Sequence, residues 1–286
     1  MFFVEIIKTV LIGIIQGITE WLPISSTGHM ILFNALWPLE VPSEFWEMFS
    51  VVIQLGSIMA VVVLYFRKLN PFAPSKSAQE KKSTWSLWAK VLVGSVPAAL
   101  VGLLINDFID AMLYEGEGEL YVRTGGALVI AAALIVYGLA FILIEKYKKG
   151  KNRCETVDGI SYSTALGIGA FQMLALIPGT SRSGSTIIGS RLLGVSRVAA
   201  AEFSFFLAIP VMAGASLLKV VKFLLDGIFM TGELWAILAI GCVVAFFVSV
   251  AAIRFLTDFL KKHTFIPFGI YRIILGAAVI IWAIFR

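Results

Sequence analysis

Four stretches of this chain run for the length of a membrane crossing without one charged residue: positions 48–66, 91–106, 124–144 and 234–253. A helix crossing the hydrocarbon of a bilayer needs about 20 predominantly apolar residues, and no other regular element except a closed barrel satisfies its own backbone there. Two more stretches, 203–218 and 266–285, are interrupted or bounded by one or two charges and are long enough to cross. The composition agrees: 59% of residues are hydrophobic and 14% charged, against about 25% charged in an ordinary soluble domain. The expected fold is an all-α polytopic membrane protein with about six transmembrane helices. The excess of 23 basic over 18 acidic residues then reads as basic loops on the cytoplasmic side, and nucleic acid is not an expected partner. Lys8 interrupts the first apolar run and no small-residue cleavage site follows, so the first segment is expected to belong to the mature protein. Cys154 and Cys242 have neither a disulfide framework nor a metal-site spacing.

Two further apolar stretches, 10–36 and 168–193, are polar at their centres, which read Pro23-Ile24-Ser25-Ser26-Thr27-Gly28-His29 and Pro178-Gly179-Thr180-Ser181-Arg182-Ser183-Gly184. A break of this kind frees backbone groups that lipid cannot satisfy, so it must be buried in protein or line a wet cavity. Both segments are expected to be re-entrant helix-loop-helix hairpins. Positions 67–82 hold five basic residues and one acidic, and 146–153 hold five basic and none acidic; Lys261 and Lys262 mark a third basic loop. Positions 107–119 hold five acidic residues and no basic one. Basic loops inside and the acidic loop outside put both termini outside, with Lys219 and Lys222 on the external side against the trend. The hairpins should then enter from opposite faces and meet.

A shift of about 156 positions places Gln16 on Gln172, Ser25 on Ser181, Thr27 on Ser183 and Gly28 on Gly184, and Tyr121…Gly126-Ala127 recurs as Tyr271…Gly276-Ala277. The chain reads as one membrane domain, 1–286, built from inverted repeats of approximately 1–150 and 151–286. Each repeat holds one broken segment and three spans, and an odd number of spans turns the second copy over.

Ionisable groups at membrane depth are functional by default, and Glu20, His29 and Arg182 lie in or beside the polar centres of the two broken segments. Glu20 lies one helical turn after Gln16, which suits a metal ligand or a general acid/base as well as a structural pair. Ser26 and His29 share a helix face if a helix starts at the break, a spacing that suits a nucleophile and its base. Arg182, among Ser181, Ser183, Gly184, Ser185 and Thr186, suits a phosphate cradle: the guanidinium is a planar fork of donors, and glycine admits close backbone approach. Phosphoryl transfer needs mainly positioning and charge neutralisation, and this inventory supplies both.

The strings Gln16-x-x-x-Glu20-x-x-Pro23-Ile24-Ser25-Ser26-Thr27-Gly28-His29 and Pro178-Gly179-Thr180-Ser181-Arg182-Ser183-Gly184-x-Thr186 resemble the two signatures of the bacterial undecaprenyl-diphosphate phosphatase family of the BacA, bacitracin-resistance type. The resemblance covers essentially the whole chain. It implies hydrolysis of undecaprenyl diphosphate to the monophosphate in the bacterial cytoplasmic membrane, recycling the lipid carrier of peptidoglycan synthesis, with a divalent cation, Mg2+ or Ca2+. On that basis Ser26 is the favoured nucleophile with His29 as its base, and a second scheme makes His29 the nucleophile. Glu20 binds metal or diphosphate and Arg182 holds the diphosphate, with Ser181 and Thr186 beside it. Gln16, Ser25, Thr27, Gly28, Ser183 and Gly184 complete the expected substrate surface, which opens to the external side. Where the family motif begins with glutamate or glutamine this chain has Gln16, so Glu20 and the substrate's own phosphates are the expected cation ligands. The expected partners are the polyprenyl diphosphate and the bilayer, with a homodimer left open. The rival from another class is a polyprenyl-lipid flippase or transporter on the same scaffold.

Overall fold

The computed structural model describes residues 2–113, 124–148 and 152–285. The side chains of the acidic stretch 107–119, Tyr121 of the repeat landmark and the side chain of Thr27 lie outside what is described. Among the described residues the regular elements are helices, apart from one bridge between Cys154 and Val195. In order the α-helices are α1 (Phe2–Thr19), α2 (Ser26–Leu36), α3 (Ser43–Leu64), α4 (Phe66–Leu69), α5 (Ala78–Leu113), α6 (Thr124–Tyr147), α7 (Tyr162–Gln172), α8 (Arg182–Leu192), α9 (Arg197–Leu225), α10 (Gly232–Lys262) and α11 (Ile266–Phe285).

Each of the six expected spans is a helix, α3, α5, α6, α9, α10 and α11. Among the described residues seven helices are long and apolar enough to cross a membrane; the seventh is α1, the first arm of the first broken segment. The chain is a multi-pass membrane protein. Hydroxyl side chains start several helices: Ser161, Ser196 and Thr231 each accept a hydrogen bond from the backbone N–H three residues on, satisfying a donor that the helix leaves free.

The register of α1 decides whether it crosses. A Cβ on Gly13 would meet Val244 and the carbonyl of Gly241, and one on Gly17 would meet Val248 and the carbonyl of Ala245. Numbering rises together along both helices, so α1 lies parallel to α10 and reaches its middle. The chain then turns at the break and returns through α2, whose 11 residues span about 16 Å, half the hydrocarbon thickness. A buried clasp closes the open end of this hairpin. Lys8 Nζ donates to Glu5 Oε1 at 2.8 Å and to the Pro38 carbonyl at 2.7 Å, and the Glu40 N–H donates to Glu5 Oε2 at 2.8 Å. The start of α1 and the end of α2 therefore lie at the same end of the bundle.

The second hairpin repeats this arrangement on α5. Gly169 packs on the backbone of Gly94, a Cβ on Gly94 would meet the carbonyl of Ala165, and one on Gly102 would meet Leu176, so α7 runs parallel to α5. The return through α8 ends where the Arg153 N–H donates to the Gly194 carbonyl and the Ser196 N–H to the Cys154 carbonyl, both at 2.8 Å. Lipid offers no hydrophobic drive for helices to associate, so close approach at small residues provides the attraction.

The two open ends face opposite ways. Lys68, after α3, pairs with Glu202 at the start of α9 (2.8 Å), and Lys219, late in α9, pairs with Glu47 early in α3 (3.6 Å). The basic loops gather at one end: Lys90 Nζ donates to the Asp158 carbonyl at 3.0 Å, and Arg197 pairs with Glu145 at the end of α6. The second hairpin opens there, and the first opens at the other end. Lys219, one of the two charges against the loop trend, has a carboxylate partner there.

Candidate active site

Both breaks turn at a serine. Ser25 has φ 77° and Ser181 φ 73°, backbone that L-residues rarely adopt, and each hydroxyl accepts the N–H three residues on, of Gly28 and Gly184. Strained non-glycine backbone of this kind costs about 1–3 kcal/mol and gathers at functional sites. The serines are the repeat-matched pair, so one local device opens both return helices. A β-carbon at Gly179 (φ 88°) would lie 2.6 Å from the Ile130 carbonyl, so the second break comes against the backbone of α6.

Glu20 is the centre of the polar contacts. It is 5% exposed. Its Oε2 accepts from Gln16 Nε2 at 3.0 Å and from the Ser26 hydroxyl at 2.8 Å. Its Oε1 accepts from Arg182 Nη2 at 2.9 Å, and its backbone carbonyl accepts from the Ser183 hydroxyl at 3.3 Å. One carboxylate thus joins a hydroxyl of the first hairpin to the guanidinium of the second. Arg182 is held from three sides: Nη1 donates to the Ser204 carbonyl of α9 at 2.8 Å, Nη2 to Glu20, and the plane lies over Trp21, 5.9 Å from the ring centre. Its buried Nε has no hydrogen-bond partner among the described residues. Thr186 Oγ1 donates to Ser204 Oγ at 2.7 Å, which fixes the serine that supports Arg182. The hydroxyls of Ser181 and Ser183 lie 3.1 Å apart.

Ser26 and His29 share a face of α2, yet they do not bond to each other. His29 Nδ1 lies 2.6 Å from the Ser25 carbonyl, and Nε2 lies 2.7 Å from the Tyr271 hydroxyl. The carbonyl one turn back turns the ring toward α11, while the Ser26 hydroxyl turns toward Glu20. The other histidine, His263, is exposed and stacks on Phe259 at the end of α10.

Arg272 in α11 was not among the residues singled out from the sequence, and it ties the two breaks together. It is fully buried; Nη1 donates to the Pro23 carbonyl at 3.1 Å, and Nη2 donates to those of Gly179 and Thr180, each at 2.9 Å. The signal for it was a lone arginine inside an apolar span. Trp21 and Ser204 carry no comparable signal, because their roles come from distant packing, in which α9 sets Ser204 against Arg182 and Phe205 against Trp21.

The donor set suits a phosphate: a clamped guanidinium, clustered hydroxyls and two helix starts whose N–H groups favour anions. For a divalent cation the same region offers hard oxygens, the Glu20 carboxylate and the neutral Gln16 amide. Among the described residues, however, three or more of His, Cys, Asp and Glu do not gather into a metal group. A cation here would draw most of its ligands from the substrate and water.

Residues 9–278 match the family described as Bacitracin resistance protein BacA. The chain is 54% identical to the undecaprenyl-diphosphatase of Enterococcus faecalis, with 98% of each chain covered. It is 51% identical to that of Desulfitobacterium hafniense, covering 99% of this chain and 97% of the relative. It is 47% identical to that of Streptococcus equi, covering 100% and 99%. A match that spans both hairpins and every span leaves one conclusion: the chain belongs to the BacA family of bacitracin resistance proteins.

Proposed function

We propose that this chain is an undecaprenyl-diphosphatase: a membrane hydrolase that removes the terminal phosphate of undecaprenyl diphosphate and so returns the monophosphate carrier to cell-wall synthesis. The observation that carries the chemistry is the line Ser26–Glu20–Arg182, in which a hydroxyl donates to a buried carboxylate whose second oxygen is on a guanidinium. Arg182, with the hydroxyls of Ser181 and Ser183 beside it and Thr186 bracing it from behind through Ser204, holds the diphosphate. Ser26 Oγ attacks the terminal phosphorus and its proton passes to Glu20. The bond from phosphorus to the bridging oxygen breaks, and undecaprenyl phosphate leaves with that electron pair. Water then attacks the phosphoserine, with His29 Nε2 as the group that accepts its proton. Ser26 Oγ departs with the proton held by Glu20, and inorganic phosphate is released. Here Glu20, not His29, is the base for Ser26, because the hydroxyl is directed to the carboxylate.

A divalent cation, Mg2+ or Ca2+, belongs with the diphosphate in this reading, with Glu20 and Gln16 as the protein oxygens nearest to hand. When bound it neutralises phosphate charge. The supporting fact is chemical: Arg182 is the guanidinium at Glu20, and a diphosphate carries more charge than one guanidinium offsets. Chelation with EDTA is expected to stop turnover of the purified protein, and Mg2+ or Ca2+ to restore it; full activity in EDTA would remove the cation from the scheme.

The repeats, approximately 1–150 and 151–286, are read as inverted, with the basic end cytoplasmic, both termini outside and the diphosphate admitted from the outer face. Opposed hairpins and the gathered basic loops support that orientation. Every group named here for the site comes from one chain.

Phosphate release by purified protein in detergent tests the reaction and separates it from lipid transport alone. Ser26→Ala is expected to lower kcat by about 1000-fold or more. Rapid quenching with substrate labelled in its terminal phosphate should trap an acid-stable phosphoserine at position 26. An acid-labile phosphohistidine at 29, with a Ser26→Ala variant still active, would transfer the nucleophile to His29.

A further inference from the structure

The His29 imidazole is held at both nitrogens, and the two partners are chemically unequal. The Ser25 carbonyl, 2.6 Å from Nδ1, is an acceptor only, so Nδ1 carries the proton. In the neutral ring Nε2 is then the bare nitrogen, and it accepts the hydroxyl proton of Tyr271 at 2.7 Å. The two rings lie nearly parallel, 7° apart with centres 5.7 Å apart.

Tyr271 belongs to α11, in the other half of the chain, and it cannot drift along that helix. The next residue, Arg272, is locked by its three bonds to the carbonyls of Pro23, Gly179 and Thr180. Arg272 is the charged group that α11 turns toward His29, and the Tyr137 ring of α6 faces that guanidinium 5.5 Å away. The Tyr271 hydroxyl is thus delivered to Nε2 by the same turn of helix that fastens both breaks. Tyr271 itself is 43% exposed, so it borders open space rather than core.

We infer that Tyr271 is a positioning residue for His29: its hydroxyl holds the ring by Nε2, the nitrogen that the Ser25 carbonyl leaves bare, and covers it until the reacting water takes its place. The inference rests on the phosphatase reading for its consequence in turnover, but not for the state of the ring. A base that is aimed and capped in the resting enzyme is kept from other donors. It is released when the hydroxyl yields to the water that attacks the phosphoserine.

The chain has two histidines, so His263→Gln leaves His29 as the sole imidazole without touching the site. In that background, 15N-histidine NMR of the detergent-solubilised protein at neutral pH should show a proton-bearing Nδ1 and a bare Nε2. A proton on Nε2 instead would overturn the inference. Acylation of His29 by diethyl pyrocarbonate should be slow, and should become about 10-fold faster when Tyr271→Phe is added, since the bare nitrogen loses its cover. An unchanged rate would overturn it as well. In turnover, Tyr271→Phe should lower kcat about 10-fold with KM nearly unchanged, the pattern of a misplaced group rather than lost binding. An unchanged kcat would refute the positioning role. If Tyr271→Phe does not fold, the NMR spectrum of His263→Gln alone decides. If no variant, parent included, releases phosphate, the phosphatase reading fails while NMR and acylation still decide the ring's state.

Discussion

At Glu20 and Arg182 one ion pair does two jobs, and substitutions should separate them. Both side chains are largely buried, so removing one leaves the other uncompensated, at a cost of about 3 kcal/mol or more. Glu20→Gln is therefore expected to lower the melting temperature and also to abolish turnover, because the amide cannot take the Ser26 proton. Adding Arg182→Met removes the stranded charge; the double variant should recover most of the lost melting temperature and remain inactive. Recovery of activity in the double variant would mean that the pair is structural. Arg182→Lys keeps the charge but cannot serve Glu20, the Ser204 carbonyl and the Trp21 face at once, and kcat/KM should fall about 100-fold. Arg272→Met would deprive three buried carbonyls of their donor, at about 1 kcal/mol or more each. The expected result is loss of folded protein, not an inactive folded enzyme, read by size-exclusion chromatography of detergent extracts.

The helices divide into those readable from local sequence and those whose placement needs distant partners. The six spans were legible because each carries an apolar run with few or no charges, and the hairpins because proline, glycine and serine interrupt such runs. Length misleads at α1: it is apolar and long enough to cross, and only its parallel docking on α10 and the Lys8–Glu5–Pro38 clasp make it half of a hairpin. A trace of that docking was present in Gly13-x-x-x-Gly17, the spacing that brings helices into close contact in membranes. Glu20, Ser26, His29 and Arg182 were readable as chemistry, being polar where polarity is expensive. Their partners were less so. The bond from Ser26 to Glu20 depends on the turn at Ser25, whose positive φ no residue-type preference announces. The same close packing supports an expectation for whole elements. Gly17→Leu or Gly169→Leu would push α1 off α10 or α7 off α5 and should greatly lower the yield of folded protein. Gly214→Ala in α9 should leave it unchanged, because nothing lies within 4 Å of a Cβ there.

For the molecule as a whole, the central claim is that two hairpins reach one site from opposite faces, and it can be tested without turnover. The clasp at Glu5, Lys8 and Glu40 marks the open end of the first hairpin; the gathered basic loops mark that of the second. Glu40 and Lys82 are exposed at these two ends. The native thiols complicate labelling: burial pushes the Cys154 thiol up from its ordinary value, so it reacts slowly but not negligibly at neutral pH. In a background of Cys154→Ser and Cys242→Ser, Glu40→Cys should react with a membrane-impermeant maleimide in intact cells. Lys82→Cys should react only after the membrane is opened. That pattern would put the clasp and the mouth of the first hairpin outside, where the diphosphate is taken to arrive. The opposite pattern would turn the molecule over, leaving the chemistry of Glu20 and Arg182 intact but placing its substrate on the cytoplasmic leaflet. Labelling of both positions from outside would place the two ends on one side, and the opposed hairpins would have to be abandoned.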